Sequence, residues 1–256
     1  MAIENTTLSD LVAMDKTYRE RLAIRESLIQ HERHEVLACN PKAAPAVLEL
    51  YTWLTSIYLP TRFPSIFTPA TNKNTNGLNF LRNEFTGTLL PLHTTDADLA
   101  LQLIGSNIDT DFLFLLPASE LSTDAGGDKY RLEAFITCFP SGFNTRSKLN
   151  KLLSDIHAPV PSYKEKLEKS MDRFFAAMPV GRIVKRANWS VSTSGELFCL
   201  KGNHMSEAEM ASKEEEEVDL SKTVVRCERQ TLHRLPGSKA LVFAFVGAPC
   251  SIGLFE

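Results

Sequence analysis

The sequence contains no run of about 18 consecutive apolar residues, the length that a membrane-spanning helix needs. Its N-terminal residues have neither the basic segment nor the apolar core of a secretory signal. Basic residues are not in excess either, because 28 Lys and Arg stand against 31 Asp and Glu, for a net charge of -3. Such a chain lacks the basic footprint of proteins that bind nucleic acid or anionic membranes. We therefore expect a cytoplasmic protein with no membrane segment and no nucleic-acid partner.

Several common sites are also missing from the sequence. The five cysteines are scattered, and no two have the two-residue spacing of zinc or redox motifs, so we expect reduced, structural thiols. No glycine-rich phosphate loop follows a strand-like run, which excludes nucleotide binding by the common motifs. The segment Phe139–Phe143 contains a serine but lacks the preceding glycine of the nucleophile elbow of hydrolases.

Apolar residues make up 43% of the 256 residues, which is enough for a domain with a real core. Their spacing predicts helices over 7–30, 45–58, 96–104, 144–156 and 163–178, and strands over 111–117, 130–138, 182–192, 196–200, 223–232 and 240–246. This order favours an α+β fold with an antiparallel sheet. We expect a single domain over 1–256, with a helical N-terminal region over about 7–105, a sheet-rich core over about 108–246 and a mobile acidic loop over about 203–220.

His157 stands at the end of a predicted helix and is followed by Pro159 and Pro161. Proline fixes its own φ and restricts the residue before it, so the backbone here has few alternatives, which suits a metal or haem-iron ligand. A second interpretation is a C-terminal cap, in which His157 bonds a last carbonyl of the helix and responds to the helix dipole. Local features favour the cap, because lone ligand histidines are uncommon.

Two of the later predicted strands carry polar side chains at two-residue spacing. In the first, Arg186 and Asn188 share one face and Trp189 lies on the other, while Arg226, Glu228 and Gln230 share a face of the second. Such residues either point to solvent, which local statistics favour, or form a paired network in a pocket. If the two strands converge, the arginines suit carboxylates such as haem propionates, and Glu228 suits a cation or a proton.

Four segments occur in an order and spacing that form a specific pattern: Phe139-Pro-Ser-Gly-Phe143, Ile156-His-Ala-Pro-Val-Pro161, Arg186-Ala-Asn-Trp-Ser190 and Glu228-Arg-Gln-Thr-Leu-His-Arg-Leu-Pro236. In these segments the sequence resembles the haem-dependent oxidative N-demethylase family. Fainter agreement upstream extends the resemblance over approximately residues 8 to 246.

The resemblance implies a PAS-like antiparallel β-sheet that binds haem and is flanked by helices. It implies an oxidoreductase, a monooxygenase in which haem b and its iron use dioxygen to oxidise a secondary or N-methylated amine such as dimethylamine. The resulting carbinolamine falls apart to an aldehyde and a smaller amine. Electrons would come from a separate reductase, so NADPH would act only indirectly.

The resemblance also implies roles for individual residues. His157 becomes the proximal ligand of the haem iron and the metal-binding residue, with Asp155 or a backbone carbonyl holding its other ring nitrogen. Further cofactor contacts are expected from Arg186, Asn188, Trp189 and Arg229. The candidate catalytic residues are Glu228 and Arg226. Either Glu228 or Asp111 would orient the amine, which is cationic at neutral pH.

The sequence departs from the family at two places. Phe143 stands where family members often have tryptophan, which keeps the aromatic ring but loses the indole donor. The family usually continues past the last strand into further helices, so we expect a shortened C-terminus that leaves apolar strand surface uncovered. The alternatives are a haem-binding PAS-like sensor or carrier and, if haem does not bind, a haem-free interaction module. The oligomeric state stays open.

Overall fold

The computed structural model describes residues 3–71, 79–118, 129–160, 162–193, 195–201 and 223–251. The acidic loop expected over about 203–220 lies outside the described residues. Within the described ranges, no helix has the length and apolar character that crossing a membrane would require.

Helices and strands alternate along the chain, and the longest strands come last. The helices are α1 (Tyr18–His31), α2 (Arg33–Val36), α3 (Ala44–Trp53), α4 (Leu59–Arg62), α5 (Ala97–Asn107), α6 (Leu153–Ile156), α7 (Tyr163–Lys166) and α8 (Glu168–Ala177). The strands are β1 (Glu4–Thr6), β2 (Leu37–Cys39), β3 (Phe67–Thr71), β4 (Asn79–Asn83), β5 (Leu89–Pro91), β6 (Asp111–Pro117), β7 (Tyr130–Ile136), β8 (Ile183–Ser192), β9 (Val224–Arg234) and β10 (Leu241–Ser251).

Seven strands form one sheet in the order β1-β8-β9-β10-β6-β7-β2, in which every neighbouring pair is antiparallel. The hairpin β6–β7 and the meander β8–β9–β10 meet where β10 pairs with β6. Strands β3, β4 and β5 form a separate antiparallel sheet. The mixture of helices and antiparallel sheets confirms the α+β fold class.

The large sheet has an apolar layer on each face. Phe112, Phe114 and Val242 belong to a core that also contains residues of α1, α3 and α5. Leu115, Leu132 and Leu241 belong to a second cluster with Leu153 of α6 and Met178 after α8. On β7, a bulge lies between the residues of the first core and those of the second cluster, because Phe114 pairs with Ala134 but Leu115 pairs with Leu132. The extra residue in β7 changes the face to which the neighbouring side chains point, so a strict two-residue pattern does not describe the two faces of this strand.

The first predicted helix begins at Tyr18 rather than at residue 7, so this prediction was wrong over its first half. Leu11 and Val12 instead insert into the core, where they are 1% and 0% exposed. The Asp15 carboxylate then accepts hydrogen bonds from the main-chain N–H and the hydroxyl of Thr17, at 2.7 and 2.6 Å. This local bonding competes with helix formation, and α1 starts directly after it.

The helix predicted over 45–58 is confirmed, but it does not end near Pro60. Leu54–Tyr58 form a turn of π-helix, and α4 continues through Pro60 to Arg62. A wider turn before a proline relieves the clash between its ring and the preceding turn, so the helical path can continue.

The helix predicted over 144–156 is wrong as a continuous element. Asn150 has a left-handed backbone with φ 67° and interrupts it before α6. The Asn150 N–H donates to the Leu132 carbonyl oxygen at 2.9 Å, and the Leu132 N–H donates to Lys151 at 3.1 Å. Pairing with the edge of β7 has replaced local helical bonds.

Two further expectations were wrong in part. The segment 196–200 makes an isolated bridge, Ser141 with Cys199, and no strand. The N-terminal region over about 7–105 is not only helical, because it contains β2 and the three-stranded sheet. The helix predicted over 163–178 is divided at Leu167 into α7 and α8. The helix over 96–104 and the strands over 111–117, 130–138, 182–192, 223–232 and 240–246 are confirmed with shifted ends.

Candidate functional site

A cavity of about 900 Å³ lies between the large sheet and the segment that contains α6, α7 and α8. Its sheet side carries Leu113, Leu132, Phe243 and Phe245 together with the polar face of β8 and β9. Its helix side carries the apolar side of α8, namely Met171, Phe174 and Phe175, preceded by Leu167. The cavity lies at the upper end of the range for ligand pockets, about 300–1,000 Å³, and its walls are mainly apolar with a few polar groups.

His157 lines this cavity at the C-terminal end of α6. Its Nδ1 lies 2.8 Å from the carbonyl oxygen of Leu153, which also accepts the His157 main-chain N–H at 3.0 Å. A carbonyl only accepts, so Nδ1 carries the proton and Nε2 keeps its lone pair. The cap interpretation is therefore confirmed, and the same bond leaves Nε2 in the form that a metal needs. The holding group is the Leu153 carbonyl and not Asp155.

The surroundings of His157 keep the ring neutral and fixed. Burial lowers the pKa of His157 below its usual value, and the positive charges of Lys148 and Arg186 lower it further, against the bond to Leu153. The ring stacks on that of Tyr163, with centroids 5.0 Å apart and planes at 15°. A neutral imidazole with one nitrogen bonded and its plane held is the state in which histidine ligates metals.

Three cationic side chains line the cavity, and because Lys185 is paired with Asp10 at 3.0 Å, the other two give it a positive region. Lys148 and Arg186 both line it, and the Lys148 ammonium lies 4.3 Å from the centroid of the Phe143 ring. Burial, with a smaller contribution from Lys151, lowers the pKa of Lys148 to about 8. An ammonium and a guanidinium that line the same cavity can both bind carboxylates.

The polar faces of β8 and β9 converge, which is the alternative that local statistics did not favour. The register places Asn188 opposite Glu228 and Arg186 opposite Gln230. Gln230 links the pairs, because it accepts from Nε of Arg186 and donates from Nε2 to a Glu228 carboxylate oxygen at 2.9 Å. Glu228 is only 8% exposed and lines the cavity. The site therefore holds one carboxylate whose position is fixed by a hydrogen-bonded neighbour.

Three residues that were expected in the site do not line the cavity. Trp189 lies on the opposite face of β8 and is 63% exposed. Arg229 also lies on that opposite face, with Nη1 3.9 Å from a carboxylate oxygen of Asp10. Arg226 is 1% exposed, and its guanidinium donates to main-chain carbonyls, including that of Glu196 at 2.8 Å.

Arg226 instead supports the loop that forms one end of the cavity. It donates to the carbonyl oxygens of Leu197 at 3.2 Å and Phe139 at 3.4 Å. The Gly142 N–H donates to Cys199 at 2.8 Å, and Gly142 has φ 74°, a conformation that glycine adopts without strain. Ser141 and Phe143 of this loop line the cavity.

Asp111, the other acceptor considered for the amine, does not line the cavity. One carboxylate oxygen binds Nη1 of Arg25 at 2.7 Å, and the two oxygens accept the main-chain N–H groups of Cys138 and Phe139 at 2.9 Å each. Arg25 is fully buried, and Asp111 is 2% exposed. This pair is structural. Arg25 of α1 holds Asp111 of β6, and Asp111 in turn holds the main chain at the start of the Phe139–Phe143 loop.

Sequence reasoning did not single out Lys148 or Tyr163 for the site. The two-residue spacing placed Gln230 on the polar face with Glu228, but it gave Gln230 no role in the site. Lys148 and Tyr163 carried no such signal, because a broken helix and a separate short helix bring them to His157. Among the described residues, no three His, Cys, Asp or Glu side chains lie together as a metal-binding group. His157 is the histidine that lines the cavity.

Comparison with known proteins identifies the family to which the chain belongs. No curated protein matches the chain. A family model described as haem-dependent oxidative N-demethylase, alpha subunit-like, matches residues 2–247, and this range contains the whole cavity. The chain therefore belongs to the family of haem-dependent oxidative N-demethylase alpha-subunit-like proteins.

Proposed function

We propose that the protein is an enzyme that binds haem b in the cavity and uses dioxygen to remove a carbon from a secondary or N-methylated amine. The observation that carries the proposal is the geometry of His157, a neutral imidazole whose Nδ1 is bonded to the Leu153 carbonyl in a large apolar cavity. The antiparallel sheet behind the cavity, with helices across it, supports the PAS-like architecture that the resemblance implies.

The described residues fit a haem in size, polarity and charge. An apolar cavity of about 900 Å³ has room for a large planar ligand, and Phe174, Phe243 and Phe245 offer aromatic surface to it. Lys148 and Arg186 suit the two propionate carboxylates. His157 would hold the iron through Nε2. Bound there, the haem supplies the activation of oxygen, which the side chains alone do not provide.

The role of the chain is to bind the cationic amine and to orient it. Glu228 presents a carboxylate near Asn188 on the cavity wall, and a cationic amine is attracted to it in a water-poor site. The bond from Gln230 holds one carboxylate oxygen at 2.9 Å and leaves the other for a ligand. Asn188 offers an amide donor and acceptor beside it.

Overall, one methyl carbon would leave as aldehyde, and one oxygen atom would enter that aldehyde while the other becomes water. Two electrons and two protons are required, and a separate reductase that draws on NADPH would supply the electrons. The secondary-amine nitrogen must be uncharged when its carbon is oxidised, so Glu228 is placed to accept the proton that the bound cation loses.

The test is amine-dependent formation of formaldehyde by the haem-loaded full chain in air. Dimethylamine is the probe substrate, and NADPH with a ferredoxin reductase and a ferredoxin supplies electrons. We expect formaldehyde in wild type and at least a tenfold lower rate in Glu228→Gln, with an unchanged haem absorption spectrum. The matched control is Glu26→Gln, because Glu26 is exposed and does not line the cavity.

Each outcome has a defined meaning. Haem binding without formaldehyde from any secondary or N-methylated amine would contradict the enzyme and favour a haem-binding sensor or carrier. A Glu228→Gln rate equal to wild type would remove Glu228 from the amine site. A folded chain that takes up no haem would contradict the proposed function as a whole.

A further inference from the structure

We propose that the outer side of α7 and α8 is the docking surface for an acidic electron-transfer protein. The inference rests on the proposed function, since it names where electrons approach the haem cavity. The surface, called the basic face below, consists of Lys164, Lys166, Lys169 and Arg173, together with Leu167 between the two helices. All four cationic side chains are exposed, and Leu167 is 45% exposed.

The basic face carries a local excess of positive charge in a chain whose net charge is -3. Its acidic neighbours offset little of that charge. Glu168 is paired with Lys129 at 3.2 Å, and Asp172 is only 7% exposed, which leaves Glu165 as the exposed carboxylate of this segment. Among the described residues, no carboxylate lies within ion-pair distance of Lys164, Lys166 or Lys169. Four exposed cations therefore face solvent against one carboxylate.

The same helix separates this charge from the cavity. On α8, Met171 and Phe174 line the cavity, whereas Lys169 and Arg173 are exposed on the other side. An α-helix with its side chains is about 10–12 Å thick. A protein docked on the basic face would thus be separated from the cavity by a single helix, which keeps the distance for electron transfer short.

Leu167 adds an exposed apolar side chain to the basic face. It lines the cavity and is also exposed, between α7 and α8. Interfaces commonly place apolar residues at the centre and charged residues at the rim. Redox encounters are small and transient, and charges at the rim speed their formation rather than strengthen the final complex. An acidic redox protein fits this surface in charge and in the kind of complex it forms.

The experiment measures how fast a reduced two-iron ferredoxin of net negative charge reduces the haem of the full chain in a stopped-flow instrument. Rates are recorded at several salt concentrations. We expect the wild-type rate to fall steeply with salt, because rim charges steer association. The double variant Lys166→Glu/Lys169→Glu should lower the low-salt rate about tenfold and flatten the salt dependence. The matched control is Lys16→Glu/Arg19→Glu, which changes the net charge equally at exposed positions outside the basic face.

Two further measurements, reduction by dithionite and the haem absorption spectrum, distinguish loss of docking from loss of haem. Dithionite should reduce the haem equally in all variants, and their haem absorption bands should be identical. A normal haem band with an unchanged ferredoxin rate in the double variant would overturn the docking surface alone. A chain without haem would overturn the proposed function and this inference together. If the basic face binds vesicles rich in phosphatidylserine while the ferredoxin rate stays unchanged, the surface is a membrane site and the inference is wrong.

Discussion

The imidazole ring of His157 lies nearly parallel to the phenol ring of Tyr163, with 5.0 Å between ring centroids and 15° between planes. The Tyr163 hydroxyl donates to the sulfur of Met171 at 3.5 Å, so the phenol ring is itself held against α8. Tyr163 is therefore a positioning residue for His157.

Replacing Tyr163 should loosen the hold on haem. We expect Tyr163→Leu to release haem about tenfold faster than wild type, because groups that orient a ligand histidine are typically worth about 10–100-fold in metal affinity. Tyr163→Phe keeps the stacked ring and should stay within about twofold. The measurement is haem transfer to a competing apoprotein. Equal release rates for Tyr163→Leu and wild type would show that the stacking does not position His157.

Lys148 should have opposite effects on the fold and on haem. Its burial and lowered pKa of about 8 mean that the charged ammonium is costly in the cavity before a carboxylate arrives. We expect Lys148→Met to raise the melting temperature of the haem-free protein and to weaken haem binding. Lys151→Met is the control, because Lys151 is exposed and does not line the cavity. A Lys148→Met protein that binds haem as tightly as wild type would exclude Lys148 as a propionate contact.

The buried pair of Arg25 and Asp111 should be critical for stability. Removing one member of a buried pair leaves the other charge without compensation and typically costs about 3–5 kcal/mol. We expect Arg25→Met to lower the free energy of unfolding by that amount in a urea titration. The control is Arg33→Met, because Arg33 and Asp98 form an exposed pair at 3.8 Å, which is worth about 0–1 kcal/mol. Similar losses in the two variants would refute the structural role assigned to Arg25.

His233 should make the fold sensitive to acid. It is 7% exposed, neither ring nitrogen has a hydrogen-bond partner among the described residues, and burial lowers its pKa to about 4. Between pH 6.5 and about 4 the unfolded chain takes up a proton on this side chain and the folded chain does not. The contribution of His233 to the free energy of unfolding is therefore complete above pH 6.5 and decreases as the pH falls to about 4.

The size of this decrease follows from the difference in pKa. At about 1.4 kcal/mol per pKa unit, His233 should account for a loss of about 3 kcal/mol at most. Urea unfolding of His233→Leu and wild type at pH 7 and pH 4.5 measures it, since the variant lacks the contribution. His93→Gln, at an exposed position, is the control and should follow the wild-type profile. Parallel pH profiles for His233→Leu and wild type would contradict the assignment.

The sequence was a good guide where local spacing decides structure. The alternation in 182–192 and 223–232 placed Arg186, Asn188 and Glu228 on faces that the sheet then brings together. It could not decide which face meets the cavity. Trp189 belongs to a family motif, but the same alternation directs it away from Arg186 and, in the structure, to solvent.

Contacts between distant segments account for what the sequence did not predict. Asn150 is bonded to Leu132 of β7, and this pairing interrupts an otherwise helical pattern. Arg226 shares the spacing of Glu228, but carbonyl oxygens from the 196–197 and 139 regions take up its donors. Such partners lie roughly 20 to 90 residues away, so no local pattern predicts them.

The most direct test of the account is the absorption spectrum of the haem-supplied full chain beside that of His157→Ala, with and without added imidazole. We predict a strong haem band at one haem per chain in wild type and its loss or shift in His157→Ala. Imidazole should restore the wild-type band, because it refills the space and supplies the missing nitrogen. His93→Ala serves as the control and should match wild type. A His157→Ala protein with the wild-type spectrum and haem content would contradict the central claim that His157 holds the iron.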